Sequence, residues 1–333
     1  MRITPKNLLR LARETVQKRT LADPGLVAAY LAGSLCGSDP FMGGTADIDI
    51  FFVHADQPGI TREIVALTPE IHLDMVHRPR SDYEKPRELR THPWLGPELY
   101  DPLPLYVNRH FFEFVQAGVR ADYFDPANVL ARARKFAEAA RKAMGDLSAP
   151  QNPDLFPAGL LAWIEAVGMA ANALAALNGA PLAERRLLLQ FPARAEAAGA
   201  PHLSARLEDL LGSGRTDPAL LAGFLPAWET DFLEAARRPG VDESIAAPRL
   251  AYYHQSMQSM LESGSPYACL WPLLHTWSRA AAVLPPERLS AWRAASETLG
   301  LAGESFNGRI GQLDTFLDDV EDILDAYAAS QGV

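Results

Sequence analysis

The sequence predicts an α/β protein in which a strand-containing domain comes first and an all-helical domain follows. Three apolar runs between residues 27 and 76 have the length and alternation of buried strands. From Ala127 onward these strand signals disappear, and Ala- and Leu-rich segments separated by Pro, Gly or Ser indicate amphipathic helices. At about 150 residues per domain, the 333 residues are enough for two domains, which we place at 1–126 and 127–333.

The first elements are a helix, a strand and a turn. Leu8 to Val16 has apolar residues at helical spacing, and Pro24-Gly25 ends that pattern. Val27 to Leu31 is an apolar run that predicts a buried strand, which ends in a turn at Gly33-Ser34. Such a turn can open a short helix whose free N–H groups face a polyphosphate, and the Ser34 hydroxyl is one more donor.

The second predicted strand carries two carboxylates. Successive side chains along a strand point to opposite faces, so Asp47 and Asp49 share one face while Ile48 and Ile50 anchor the other in the core. Two like charges at this spacing repel each other, and a strand tolerates them best when cations lie between them. Oxygen-only ligands at an open site favour Mg²⁺, which binds through one or two carboxylates plus substrate phosphates.

A third strand, Ile71 to Val76, offers another acid. Asp74 would complete a carboxylate trio for two metal ions about 3.5–4 Å apart. Glu70 and His72 lie on the same face by parity, so either is an alternative third member.

Together these features carry a family resemblance. The Gly-Ser turn, a Gly-rich loop and Asp47-Ile48-Asp49-Ile50 resemble the signature of the DNA polymerase β-like nucleotidyltransferase superfamily, most closely its small bacterial branch with aminoglycoside nucleotidyltransferases. The match covers about residues 26 to 76. The resemblance implies a mixed sheet with helices, and it assigns the β- and γ-phosphates of an NTP to Gly33 and Ser34. It also implies that Asp47 and Asp49 bind two Mg²⁺ ions and that Asp74, the third acid, helps to activate the acceptor hydroxyl.

The loop departs from that family pattern. Many relatives carry a basic residue between the Gly-Ser turn and the acids, whereas Leu35 to Ala46 contains no Lys or Arg. Metals or side chains from elsewhere must therefore meet the phosphate charge. Arg132 and Lys135 share a helix face by spacing and are candidates, with a solvated basic face as the alternative.

A second candidate group lies in the helical domain. Trp271, His275 and Arg279 recur at four-residue spacing, which places an aromatic ring, an imidazole and a guanidinium on one helix face. They would either stack on a base or line an acceptor pocket, or belong to the core with their polar tips satisfied.

The end of the first domain is predicted from weaker signals. Arg78 to Pro104 contains six prolines and predicts an irregular excursion. Tyr106 to Val115 predicts a helix, and Ala121 to Pro126 predicts a last short strand that ends at a turn.

Charge and composition restrict the partners. Residues 1–145 carry 19 Lys and Arg against 18 Asp and Glu, whereas residues 146–333 carry 12 against 23 and contain no Lys. An acidic domain argues against nucleic acid, whose phosphates are neutralised by Lys and Arg. It is compatible with a small cationic acceptor.

Membrane insertion, a disulfide framework and a zinc pattern are not expected. No uninterrupted run of about 18 apolar residues occurs, and the N-terminus lacks a signal-peptide core. Two cysteines make neither a disulfide framework nor a zinc site. The spacings of four N-terminal histidines also match no zinc pattern; they are His54, His72, His77 and His92. We therefore expect a soluble cytoplasmic protein.

These observations predict a Mg²⁺-dependent nucleotidyltransferase that moves a nucleoside monophosphate from an NTP to a hydroxyl acceptor and releases pyrophosphate. The acceptor expected is an aminoglycoside-like small cation. The alternatives are transfer to tRNA or to a protein, as in toxin–antitoxin nucleotidyltransferases, and a nucleotide-binding module that has lost catalysis.

Overall fold

The computed structural model describes residues 3–147 and 156–333. It divides the chain into two units, Met1–Asn128 and Val129–Val333. Met1 and Arg2, on which the signal-peptide expectation partly depends, lie outside the described residues. The α/β class is confirmed, since a mixed sheet lies in the first unit and the second is mostly helical.

Five strands form the sheet of the first unit. They are β1 (Leu26–Ala32), β2 (Ala46–His54), β3 (Arg62–Ala66), β4 (Ile71–Pro79) and β5 (Leu103–Val107). Their order across the sheet is β3-β4-β2-β1-β5. The β2–β4 pair is parallel and the other neighbouring pairs are antiparallel. The three strands predicted from apolar runs are confirmed, and all of them are inside the sheet.

Four helices accompany this sheet: α1 (Pro5–Ala22), α2 (Pro86–Leu89), α3 (Leu95–Tyr100) and α4 (Phe111–Arg120). The helix α1 buries Leu8, Ala12 and Val16, at four-residue spacing, in one core with Ile48 and Ile50 of β2. This core fixes which face of β2 is apolar. The odd-numbered residues of β2 are thereby directed to the other face.

The two edge strands are where the sequence prediction is incomplete or wrong. No strand was predicted at β3, whose apolar run Ile64-Val65-Ala66 is short and whose residues are all half-buried or exposed. The strand β5 lies where an irregular segment and the start of a helix were predicted. Its Pro104 is compatible with a strand because β5 is at the sheet edge, where proline is tolerated.

Two further corrections concern the rest of this unit. Ala121 to Phe124 is a turn and not a strand, because Asp122 has φ +54°, a left-handed conformation that no strand contains. The segment after β4 is folded on the sheet and is not an irregular excursion. Arg78 donates to both carboxylate oxygens of Glu98 in α3 (2.6 and 3.1 Å), and Tyr30 of β1 donates to the same carboxylate at 2.5 Å.

The second unit is built from helices. They are α5 (Pro126–Leu147, whose first turn belongs to the first unit), α6 (Phe156–Ala175), α7 (Leu187–Ala197), α8 (His202–Leu210), α9 (Pro218–Ala235), α10 (Leu250–Leu261), α11 (Leu270–Val283), α12 (Ser290–Thr298) and α13 (Glu304–Gln331). No strand occurs among the described residues after Asn128. One stretch, Phe156–Asn178, is long and apolar enough to cross a membrane, but 78% of its most apolar window is buried inside the protein. Its apolar residues therefore pack mostly against the rest of the protein.

Candidate functional site

A glycine and a carboxylate approach each other where β1 ends. Ala32 is paired with Asp49 in the β1–β2 register, so Gly33 follows directly beside that aspartate. Gly33 has φ +77° and ψ −160°, a backbone conformation that is essentially restricted to glycine. A Cβ at this position would lie 2.9 Å from Cγ of Asp49 and closer still to Oδ2. The missing side chain is what allows the Asp49 carboxylate to lie against this turn.

The neighbouring serine contacts the other acid of the pair. Ser34 begins a three-residue 3-10 turn, Ser34–Cys36, and its Oγ donates to Oδ1 of Asp47 at 3.4 Å. Asp47 is 7% exposed, whereas Gly33 is exposed and Asp49 half-buried. The turn and the paired acids, predicted from spacing alone, therefore lie together at a partly open surface. The predicted short helix is only a single 3-10 turn.

Asp74 is beside Asp49 across the central parallel pair of strands. The two are partners in the β2–β4 register, and register partners in parallel strands share a face. Asp74 is 2% exposed. Its two oxygens accept hydrogen bonds from Nε and Nη2 of Arg62, at 2.7 and 2.6 Å. Asp74 therefore lies on the predicted face of the sheet, and the Arg62 guanidinium holds its carboxylate in place.

Sequence reasoning did not identify Arg62. Ile64 is the β3 partner of Asp74, so Arg62 lies two residues along the same face of an antiparallel neighbour. Only the existence of β3 reveals this neighbourhood, and β3 carries no apolar alternation. Arg62 supplies a positive charge close to the paired acids, which the loop Leu35 to Ala46 lacks.

The two alternative third members occupy different places. His72 is the register partner of Asp47, is 1% exposed and lies on the same face. Glu70 precedes β4, and its backbone carbonyl accepts from Ala46 N at 3.2 Å. Asp74 is the one of the three that is paired with Asp49.

The donor chemistry of Asp47 and Asp49 fits Mg²⁺. Both are carboxylates on one strand face, one lies in the cradle that a Cβ on Gly33 would fill, and Ser34 adds a hydroxyl. Mg²⁺ commonly uses one or two carboxylates and completes its shell with water and phosphate oxygens. Within residues 3–147 and 156–333, no three His, Cys, Asp or Glu side chains are placed to hold a metal ion. A role for Asp74 as a metal ligand therefore stays a prediction.

The cysteine in this turn is a free thiol, as is Cys269. Burial and the nearby Asp49 carboxylate raise the pKa of Cys36. Its Sγ donates to the carbonyl of Leu31 at 3.4 Å. Cys36 is therefore a protonated thiol that helps to hold the turn.

Two arginines of α5 are engaged inside the helical unit. Arg141 donates to Asp314 (2.5 Å), to Asp318 and to both oxygens of Glu321 (2.9 and 2.7 Å), all on α13. Arg134 likewise pairs with Asp325 at 3.0 Å.

The two candidates for a phosphate contact lie on a different side of α5 from Arg134 and Arg141, because about 3.6 residues make one helical turn. Arg132 is 3% exposed, whereas Lys135 is exposed. A phosphate contact by these two residues stays a prediction, with a solvated basic face as the alternative.

The aromatic and polar residues of α11 belong to a buried network. His275 lies under the Trp271 ring (5.4 Å between centroids), and its Nδ1 is 2.6 Å from Oε1 of Glu184. Tyr253 donates to the same carboxylate at 2.5 Å. Arg279 is paired with Asp242 at 2.7 Å. The core interpretation of this helix face agrees with the structure for His275 and Arg279, whereas Trp271 is buried and its Nε1 donates no hydrogen bond among the described residues.

The pKa of Glu184 reflects this network. Burial acts to raise it, but hydrogen bonding and charge from His275, with further help from Arg249 and Tyr253, lower the pKa to about 2. Glu184 is therefore a structural anion that is ionised at neutral pH.

The chain matches no model of a known protein family. It also has no significant match among curated proteins.

Proposed function

We propose that the face bearing Asp47 and Asp49 is the active site of a Mg²⁺-dependent nucleotidyltransferase with the polymerase β-like nucleotidyltransferase fold. The observation that supports this most strongly is the contact between the Gly33 turn and the Asp49 carboxylate. It joins a turn suited to phosphate with two oxygen ligands suited to Mg²⁺. The reaction transfers a nucleoside monophosphate from an NTP to a hydroxyl acceptor and releases pyrophosphate.

Each residue has a defined task in this proposal. Gly33 and Ser34 orient the phosphates through backbone and hydroxyl donors. Asp47 and Asp49 hold Mg²⁺, which when bound neutralises phosphate charge. The acceptor oxygen attacks the α-phosphorus, and the bond from that phosphorus to the oxygen bridging to the β-phosphate breaks as pyrophosphate leaves.

Asp74 is the base that accepts the proton of the acceptor hydroxyl in this proposal. Asp74 is the register partner of Asp49 on the same face of the sheet, so a hydroxyl placed beside Asp49 lies next to it. The two hydrogen bonds from Arg62 fix the orientation of the Asp74 carboxylate. Arg62 positions this base and contributes the positive charge that the motif loop does not provide.

A small cation is the acceptor that the charge distribution favours. Residues 146–333 have an excess of Asp and Glu and no Lys, and an acidic surface attracts cations and repels nucleic acid. The proposed substrates are thus an NTP and a small hydroxyl-bearing cation of the aminoglycoside type. Use of an NTP with Mg²⁺ supports a cytoplasmic location as part of this proposal.

A transfer assay tests the function. The protein is incubated with each labelled NTP, Mg²⁺ and panels of aminoglycosides, tRNA and cellular protein, and products are identified by mass spectrometry. We expect a nucleoside monophosphate on a small cation, with Asp49→Asn lowering turnover at least ~10²-fold. Asp82→Asn, an exposed aspartate of the same unit, is the matched control and should keep wild-type turnover.

The outcomes of this assay separate the alternatives. Labelled tRNA or protein with no labelled aminoglycoside would contradict the small-cation acceptor and leave the chemistry in place. Mg²⁺-dependent NTP binding without transfer to any acceptor would support a non-catalytic module. Equal turnover in Asp49→Asn and wild type would overturn the proposed active site.

A further inference from the structure

A second cluster of chemically capable side chains lies on the opposite face of the sheet. His54 of β2 and His77 of β4 face each other, with Nε2 of His54 2.9 Å from Nδ1 of His77. Nδ1 of His54 is 3.3 Å from Oδ2 of Asp23, and Nε2 of His77 is 3.0 Å from Oε1 of Glu63. Arg19 of α1 donates to the other Glu63 oxygen at 2.9 Å. Each imidazole therefore has one nitrogen on a carboxylate and one on its neighbour.

The positions along the strands separate this cluster from the paired acids. His54 has the parity of Ile48 and Ile50 in β2, and His77 is the register partner of Phe52, on which its ring stacks at 5.2 Å. All of them lie on the α1 side, away from Asp47 and Asp49. The cluster is thus outside the proposed nucleotidyl-transfer site and uses nitrogen rather than oxygen donors.

Two ring nitrogens of this pair face each other and not a carboxylate. Nδ1 of His54 lies on Asp23 and Nε2 of His77 lies on Glu63, and a carboxylate oxygen accepts hydrogen bonds from such ring nitrogens. The remaining nitrogens, Nε2 of His54 and Nδ1 of His77, are 2.9 Å apart. These two nitrogens are therefore the available ligand atoms of the pair.

We infer that His54 and His77 form a binding site for a divalent transition metal of the zinc class, in which Nε2 of His54 and Nδ1 of His77 bind the ion. Imidazole nitrogen suits Zn²⁺, Cu²⁺ and Ni²⁺. With Zn–N bonds of about 2.0–2.1 Å, two tetrahedral nitrogen ligands lie about 3.3 Å apart. The observed 2.9 Å needs an opening of only a few tenths of an ångström, and Nδ1 of His54 and Nε2 of His77 keep their carboxylates.

The surroundings fit such an ion in two ways. Ligating histidines generally donate their other N–H to a carboxylate or carbonyl, and here Asp23 and Glu63 provide those acceptors. A cavity of about 710 Å³ borders both rings and leaves room for water or a small anionic ligand in the remaining coordination positions. Asp56 also lines this cavity and is an exposed oxygen donor. Because only two protein side chains bind the ion, coordination positions stay open to other ligands, unlike in a structural zinc site with four protein ligands.

Metal titration of the untagged, chelator-treated full-length protein tests the inference. Zn²⁺ binding is followed by calorimetry and Co²⁺ binding by its visible absorption, with millimolar Mg²⁺ present to occupy oxygen sites. We expect one Zn²⁺ per chain. His54→Gln and His77→Gln should each weaken binding at least ~10²-fold, and Glu63→Gln by ~10–100-fold as a partner of a ligand. His110→Gln, whose imidazole is 98% exposed, is the matched control and should bind as the wild type does.

Two results would overturn the site. The first is the absence of stoichiometric Zn²⁺ binding by the wild type, and the second is equal affinity in wild type, His54→Gln and His77→Gln. If the His77 variant does not fold, an anomalous map of the wild-type protein with Zn²⁺ decides, since density elsewhere contradicts the assignment. Asp49→Asn should retain this binding, so failure of the nucleotidyl-transfer proposal leaves it unaffected.

Discussion

Replacing Gly33 by alanine tests whether the turn and Asp49 form one site. Gly33 (φ +77°, ψ −160°) and Gly303 at the start of α13 (φ +61°, ψ −147°) share a backbone region essentially restricted to glycine. Forcing alanine into such a conformation costs about 1–3 kcal/mol. At Gly303 that is the whole expected effect, because no atom lies within 4 Å of an added Cβ.

At Gly33 a second cost is added. The Cβ would lie 2.9 Å from Cγ of Asp49 and nearer still to Oδ2, so the carboxylate must move. Displacing a partly buried hydrogen-bonding group adds about 1–3 kcal/mol, for a total of about 2–6 kcal/mol. Gly33→Ala should also weaken Mg²⁺–NTP binding at least ~10-fold, while Gly303→Ala leaves it unchanged.

The assay must report on each unit separately, because the two glycines belong to different units. Hydrogen exchange followed peptide by peptide measures the local free energy of opening around each glycine. Titration with a nonhydrolysable NTP and Mg²⁺ measures the nucleotide affinity of the proposed active site. Equal destabilisation by the two variants, with unchanged nucleotide binding in Gly33→Ala, would refute the steric reasoning.

Three further predictions follow from the contacts of other side chains. Arg62→Ala should lower turnover and shift its pH profile, because it frees the Asp74 carboxylate from two hydrogen bonds; an unchanged profile would remove Arg62 as a positioning residue. Glu184, whose folded pKa of about 2 is below the ordinary 4.5, stabilises the protein above pH 4.5 and loses that contribution, at most about 3 kcal/mol, as pH falls towards 2. Glu184→Gln should remove this part of the acid dependence of urea unfolding. Arg141→Ala should destabilise the helical unit by about 1 kcal/mol, less at high salt, and more than Arg238→Ala, which loses one exposed pair.

The sequence predicts the centre of the first unit well and its edges poorly. The strands β1, β2 and β4 are buried, so their apolar alternation is strong, and the parity along them predicts which acids share a face. The edge strands β3 and β5 have one hydrogen-bonding neighbour and exposed residues, so their pattern is weak.

The contacts that sequence reasoning missed are tertiary. Arg62 reaches Asp74 only because β3 pairs with β4, and His54 meets His77 only because β2 and β4 are parallel and in register. The spacing of these residues in the sequence does not indicate either strand pairing. The histidine spacings match no zinc pattern. They also do not indicate that Nε2 of His54 lies 2.9 Å from Nδ1 of His77.

The central claim is that Asp47 and Asp49, with the Gly33-Ser34 turn, bind a metal–nucleotide complex. The most direct test is a crystal soaked with a nonhydrolysable NTP and Mn²⁺, which replaces Mg²⁺ and gives an anomalous signal. The account predicts Mn²⁺ on the carboxylates of Asp47 and Asp49 and phosphate oxygens within hydrogen-bonding distance of Gly33 N or Ser34. Clear density for the nucleotide and Mn²⁺ at another surface, with both carboxylates uninvolved, would contradict it.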